Sequence, residues 1–269
     1  MRPLPGRLVL LGHPVQHSLS PRFQNAALRS ASLPLTYDVM DVRVDGLASA
    51  AAILAAQGAA GNVTLPHKAA FASLCAELTP LAARVGAVNT FWTRTDGGLL
   101  GDNTDVGGVA EAVVALLGHA PLRTRVTLLG AGGAAAAVCA AAEGWRGAPL
   151  RCWSRRASAA RALSQRFDGT VEPVADLAAA VKGAVLVINA TPIGMHNSEL
   201  PVPLEWLAGD AAVLDLVYKR GETAWVRTAR LRGHRAADGV TMLLAQGALA
   251  FERWFGIVPD REAMRASLA

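Results

Sequence analysis

Charged residues are few in this chain: Asp, Glu, Lys and Arg make up 17% of 269 residues, against 52% hydrophobic. That balance excludes a disordered chain and predicts a large buried core, enough for two domains of modest size. Cysteine is scarcer still. Cys75, Cys139 and Cys152 are odd in number and widely spaced, which excludes a disulfide framework and a zinc spacing. They read as buried free thiols of a reducing cytoplasm. Aromatic residues reach only 5% and no basic run occurs, although the net charge is +5. With the arginines scattered over helix faces, the basic excess points to small anionic ligands and away from nucleic acid. Long apolar runs are nearly missing too. Leu8 to Leu11 is cut by Gly12-His13-Pro14 before a signal segment can form. Val126 to Ala142 carries no charge and approaches the length of a membrane span, but its glycine cluster makes a buried core segment the expectation and a membrane no partner.

That same segment organises the chain. Arg125 to Leu129 is a short apolar run of strand formers, followed by Gly130-Ala131-Gly132-Gly133-Ala134-Ala135 and an alanine-rich helical stretch to about Glu143. Gly130, Gly132 and Ala135 fall at the small-residue positions of a dinucleotide turn: one for the bend, one for close approach of a pyrophosphate, one for helix–strand packing. The new helix would present free N–H groups and its positive dipole end to the phosphates. The next strand, from Leu150, ends at Ser154-Arg155-Arg156. An NAD site usually places Asp or Glu there, for the ribose hydroxyl. Guanidinium groups instead suit a 2′-phosphate, so the expected cofactor is NADP.

Along the chain, Arg7 to Leu11 reads as a strand. Ser20 before Pro21 reads as a helix cap, with the helix running to about Ser30. A strand at Leu35–Val42, a helix at Leu47–Gln57 and a strand at Gly61–Leu65 follow, then a helix from beyond Pro66 through Leu78. Thr95-Asp96-Gly97-Gly98 joins two strands as a hairpin. This alternation predicts an open α/β sheet. After a helix at Val106–Leu117 and the glycine turn come a strand Leu150–Ser154, helices Ala157–Phe167 and Asp176–Lys182, and strands Ala184–Asn189 and Ala212–Val217. Helix Thr223–Arg232, a short piece at Arg235–Asp238 and a long helix Met242–Phe255 complete a small doubly wound sheet and its appendage. Trp206, Trp225 and Trp254 read as core.

Two polar clusters carry chemistry. In Asn62-Val63-Thr64-Leu65-Pro66-His67-Lys68, Asn62 and Thr64 share one face of a strand end, and Lys68 opens the next helix, where it does not complement the dipole. In Asp102-Asn103-Thr104-Asp105 a carboxylate could simply cap a helix, or Asp105 could pair with Lys68 across a cleft. Such a pair suits a hydroxyl–carbonyl interconversion, which needs a proton carrier while hydride moves. Desolvation would favour the neutral amine and a neighbouring carboxylate the ammonium; the sequence leaves that contest open. His13, His17 and His67 have no ligand-spaced partners and no Gly-x-Ser-x-Gly turn occurs, so neither a metal site nor a serine triad is expected.

These segments together resemble the shikimate dehydrogenases over essentially the whole chain. The matching stretches are His17 to Pro21, Asn62 to Lys68, Gly86 to Thr90, Gly101 to Asp105, Gly130 to Ala134, Asn189 to Met195, Tyr218-Lys219 with Gly221, and Asp238 through Gln246. The resemblance implies reversible reduction of 3-dehydroshikimate to shikimate with NADPH, by a monomer or homodimer. It implies a substrate domain over 1–105 completed by 239–269, a Rossmann-like NADP domain over 106–238, and a cleft between them. By the same resemblance, Ser18 and Ser20 bind the substrate carboxylate with Tyr218 nearby. Asn62, Thr64, Asn89, Asp105 and Gln246 grip ring hydroxyls, and Lys68 with Asp105 forms the catalytic pair. Gly130, Ala131, Gly132, Gly133 and Ala134 hold the pyrophosphate; Ser154, Arg155 and Arg156 face the 2′-phosphate; Thr191, Gly239 and Met242 border the nicotinamide.

The chain departs from the family pattern at Val106, where glycine is common, and at Ser154-Arg155-Arg156, where Asn-Arg-Thr is usual. Ala159 replaces a basic residue, and Ala134 to Ala137 lack a polar one. Two other readings stand beside the first: an enzyme for quinate or both acids, favoured by an acidic residue after Trp153 that is not there, and a non-catalytic nucleotide sensor, which would lose Lys68 and Asp105.

Overall fold

A computed structural model describes residues 4–147, 149–219 and 221–269. In chain order the strands are β1 (Leu8–Gly12), β2 (Tyr37–Asp41), β3 (Ala60–Val63), β4 (Glu77–Leu78), β5 (Thr90–Thr93), β6 (Leu99–Asp102), β7 (Val126–Leu129), β8 (Leu150–Trp153), β9 (Val171–Pro173), β10 (Leu186–Asn189), β11 (Ala212–Asp215) and β12 (Ala236–Ala237). The α-helices are α1 (Ser20–Ser30), α2 (Leu47–Ala56), α3 (Lys68–Ala72), α4 (Pro80–Val85), α5 (Asp105–Leu117), α6 (Gly133–Ala142), α7 (Ala157–Arg166), α8 (Leu177–Val181), α9 (Ala224–Leu231), α10 (Val240–Phe255) and α11 (Arg261–Ala266). The chain divides into two compact units. The first runs to Gly108 and resumes over Leu243–Ala269; the second is Val109–Met242.

The first unit holds a six-stranded mixed sheet in the order β2-β1-β3-β5-β6-β4. Strands β2, β1 and β3 are parallel, because helices connect them, while β5 and β6 join antiparallel through the short turn at Gly97. One face is closed by Val9, Leu11, Leu54, Phe71, Phe91 and their neighbours. The Phe71 and Phe91 rings lie 5.0 Å apart and both are fully buried, each burial contributing on the order of 1.5–3 kcal/mol. The helix expected through Leu78 ends at Ala72, and Glu77–Leu78 is instead a strand paired with β6. Helix α4 follows it, capped by the Thr79 hydroxyl and begun at Pro80. Ser20 is the first residue of α1 and not its cap: Leu19 holds the cap position, and no side chain caps the helix. The Ser18 hydroxyl accepts the Ser20 N–H, which ties the entering loop to the helix start.

The second unit holds a fully parallel sheet in the order β12-β11-β10-β7-β8-β9. Read from the other edge this is the 3-2-1-4-5-6 order of a dinucleotide-binding fold, whose order reverses at β7. Strand β9 has no period-two signature and ends on Pro173, tolerated because β9 is an edge. Leu129, Val187, Val213 and Trp225 lie in the core of this unit. Trp206, expected in a core, is 42% exposed on a single 3₁₀ turn at Leu204–Trp206; that turn is too short to bury the ring. All three cysteines are free thiols, and burial pushes Cys75 and Cys152 up to about 12. Among the described residues no helix is long and apolar enough to cross a membrane.

Candidate active site

In the first unit the loops after the parallel strands gather the polar residues, as the carboxyl edge of such sheets does. The loop after β1 meets the loop after β3: the His13 N–H donates to the Leu65 carbonyl, and Thr64 N–H donates to that of Leu11. A Cβ on Gly12 would lie 2.4 Å from the Thr64 methyl, so Thr64 closes over that turn. Lys68 begins α3 and Asp105 begins α5, and their side chains meet with Nζ 2.6 Å from Oδ2. The carboxylate is buried, 4% exposed, while the lysine keeps 18%. The pair therefore has one face in the protein and one open to a ligand. Placed in the first turn of α5, the carboxylate also faces the positive end of that helix.

Asn89, 1% exposed, is the hub behind this pair. Its amide nitrogen, with two hydrogens to give, lies 2.8 Å from Asp105 Oδ1, 3.0 Å from Thr104 Oγ1 and 3.2 Å from Gln246 Oε1, while its oxygen accepts the Thr104 N–H at 2.7 Å. The neighbouring Asp102 anchors the segment: it accepts from Arg253 Nε at 2.8 Å, the Thr79 hydroxyl at 2.6 Å and the Asn103 N–H at 2.8 Å. Lys68, Asn89, Asp105 and Gln246 are thus one connected cluster, and Asn62 joins it by donating to the Asn89 carbonyl at 3.1 Å. Ser18 and Ser20 form their own pair on the loop into α1.

In the second unit the loops after β7, β8 and β10 converge. Gly130 has φ +108°, and a Cβ there would lie 2.9 Å from the Ala190 carbonyl, so only glycine turns the chain here. Its N–H donates to the Trp153 carbonyl. Gly132 caps α6 without any side-chain hydrogen bond, and a Cβ on it would meet nothing within 4 Å. The first N–H groups of α6, from Gly133 and Ala134, have no acceptor within the helix, as at any helix start, and no side chain caps them. Ala135 is fully buried against the sheet. Ser154, Arg155 and Arg156 follow β8, the two arginines exposed and, among the described residues, in no ion pair. A helix start stripped of caps beside two uncommitted guanidinium groups fits a phosphorylated dinucleotide.

Thr191 is held by a buried network. Asn189 Oδ1 accepts its hydroxyl at 2.6 Å and its N–H at 3.0 Å, and Asn189 Nδ2 donates to Asp215 Oδ1 at 2.8 Å. Asp215, fully buried, also accepts from the Thr223 hydroxyl at 2.7 Å and the Val217 N–H at 3.1 Å. Burial raises its pKa above the ordinary carboxylate value, and these bonds oppose the rise. Tyr218 follows directly, partly buried, and Lys219 donates to the Gly194 carbonyl. Gly239 passes over the Leu216 carbonyl, 2.4 Å from where a Cβ would sit, and Met242 is buried at the start of α10. Asp215→Ala strands three donors and is expected to lower stability by about 2–4 kcal/mol, measured by denaturant unfolding. A loss below about 0.5 kcal/mol would mean the network carries little.

The sequence of this chain matches the substrate binding domain of shikimate dehydrogenase over residues 10–91 and the shikimate 5′-dehydrogenase C-terminal domain over residues 239–269. A shikimate dehydrogenase (NADP(+)) from Rubrobacter xylanophilus is 41% identical over 268 residues, covering 97% of this chain and 94% of that protein. The chain belongs to the shikimate dehydrogenase family. Among shikimate dehydrogenases of known structure, that of Thermus thermophilus, solved with NADP(H) and shikimate, superposes with a TM-score of 0.89 at 35% identity, covering 97% of this chain and 98% of that one. A quinate dehydrogenase from Corynebacterium glutamicum, solved with NAD, has a TM-score of 0.88 at 29% identity, over 97% of each chain.

Some of the partnerships around these residues are not visible in the sequence. Asp215 and Asn189 are far apart in the chain and show their partnership only in space. His13, which has no partner at ligand spacing in the sequence, places Nδ1 2.6 Å from Asp41 in space, and Gln16 bonds the other oxygen of that carboxylate. The His13 bond holds the Asp41 carboxyl below its ordinary value. Among the described residues no cluster of His, Cys, Asp and Glu is arranged to hold a metal ion.

Proposed function

We propose that this protein catalyses the reversible, NADPH-dependent reduction of 3-dehydroshikimate to shikimate, a step toward chorismate and the aromatic amino acids. The observation that carries the reading is the half-buried Lys68–Asp105 pair, backed by Asn89. NADPH, held by the glycine turn and the arginines after β8, would supply the hydride that the substrate carbonyl carbon takes up. Lys68 delivers a proton to the oxygen as negative charge develops there, and in the reverse direction takes the proton of the hydroxyl. Asp105 aims the amine and balances its charge. Ser18 and Ser20 donate hydroxyl hydrogen bonds to the substrate carboxylate, with Tyr218 near it. Asn62, Thr64, Asn89 and Gln246 serve the ring hydroxyls.

On this reading the first unit is the substrate domain and the second the nucleotide domain. Gly130 to Ala134 would hold the pyrophosphate, Ser154, Arg155 and Arg156 the 2′-phosphate, and Thr191, Gly239 and Met242 the nicotinamide. The arginines after β8 favour NADP over NAD and thereby the shikimate enzyme over a quinate one. The protein works in the cytoplasm, as a monomer or homodimer. Assaying purified protein with shikimate and quinate, each against NADP+ and NAD+, tests the reading: shikimate with NADP+ gives the highest kcat/KM. Faster turnover of quinate with NAD+ would replace it with the quinate reading.

A further inference from the structure

Asn62 lies on β3, 5% exposed, and its amide has an end that donates and an end that accepts. Its nitrogen is 3.1 Å from the Asn89 carbonyl, which also accepts the Val63 N–H at 2.8 Å. A carbonyl oxygen cannot donate, so the amide nitrogen must face it. The Asn62 oxygen then faces Tyr37 Oη at 2.7 Å, and the tyrosine must be the donor. One N–H of Asn62 is left without a protein partner among the described residues.

Tyr37 has little freedom to do otherwise. It is 1% exposed, its N–H donates to Asn25 Oδ1 at 2.8 Å, and its carbonyl accepts from Asn25 Nδ2 at 3.0 Å. Its ring lies 6.0 Å from that of Trp254, and its backbone is registered against Leu8 in the sheet. The Asn89 carbonyl fixes which end of the amide is the nitrogen, and the hydroxyl, delivered from a fixed ring, holds the oxygen end in place.

We propose that Tyr37 is a positioning residue of the substrate site: its hydroxyl locks Asn62 so that the amide offers a hydrogen-bond donor to an oxygen of the polyhydroxylated ring. This rests on the shikimate dehydrogenase reading above. Without the hydroxyl, the Asn62 oxygen is left buried and unpaired, and the amide, held by the Asn89 carbonyl alone, can swing its free N–H away from the ligand.

Tyr37→Phe keeps the ring and removes only the donor. It raises the KM for shikimate about five- to tenfold, holds kcat within about twofold, and leaves the KM for NADP+ unchanged. In an Asn62→Ala background the same substitution adds less than about twofold, because the group it positions is gone. Asn62→Asp, which keeps the shape and replaces the donor by an acceptor, raises the KM at least as far as Asn62→Ala, and this variant carries the test should Tyr37→Phe fail to fold. An unchanged shikimate KM in Tyr37→Phe, the same fold-change in both backgrounds, or a wild-type KM in Asn62→Asp overturns the inference alone. A wild-type protein inert toward shikimate overturns the functional reading and the inference with it.

Discussion

Lys68→Ala lowers kcat for shikimate oxidation by roughly 10²–10⁴ while the KM for shikimate stays within a few-fold. The split follows from where the amine sits. Its closest partner is Asp105 at 2.6 Å, so in the resting protein its charge is satisfied internally and it is not needed to hold the ligand. Its work comes when charge develops on the reacting oxygen, and an interaction realised only at that moment is lost from kcat. The substitution removes one partner of a half-buried pair, which costs stability. Asp105 nevertheless keeps the Asn89 bond at 2.8 Å, and the vacated face is the one already open to solvent. Circular dichroism and an unchanged KM for NADP+ separate lost chemistry from lost fold. An undiminished kcat would remove Lys68 from the reaction.

Replacing Arg155 and Arg156 together by Ala lowers kcat/KM for NADP+ by roughly 10²–10³ and leaves that for NAD+ within a few-fold; each charge-assisted bond to a phosphate is worth about 1.5–3 kcal/mol. Both side chains are exposed at the end of β8, with no carboxylate holding either in an ion pair among the described residues. Their guanidinium groups are therefore uncommitted until a phosphate arrives. The Ser154 hydroxyl accepts the Arg156 N–H at 3.3 Å and shapes the turn that presents them. The four rates come from steady-state assays with each nucleotide. Equal losses with both would mean the arginines serve only the start of α7.

What could be read from the sequence is what local chemistry dictates. Gly130 announces its turn because only glycine tolerates the backbone it needs, and Lys68 stands out because a cation at a helix start opposes the dipole, whereas Asp105 there reads equally well as a helix cap. Short elements were not legible. Strand β4 has two residues and β9 three, and each exists only because a neighbouring strand supplies its hydrogen bonds. The Thr79-Pro80 start of α4 is a recognisable cap, but it is buried in a stretch whose apolar residues continue the preceding helical pattern. Side-chain partnerships were the least visible. Tyr37 with Asn62, Asn189 with Asp215, and His13 with Asp41 each join segments more than twenty residues apart. No periodicity links them, since tertiary packing alone decides which buried polar groups meet.

The central claim is that the Lys68 amine carries the reacting proton. Chemical rescue tests it most directly: Lys68→Ala is assayed with shikimate and NADP+ while a small primary amine such as ethylamine is titrated in. The account predicts a turnover that is low without amine, climbs with amine concentration, and does not respond to a quaternary ammonium salt at equal ionic strength. A variant that runs at the wild-type rate with no amine present, or that responds equally to both additives, would contradict it.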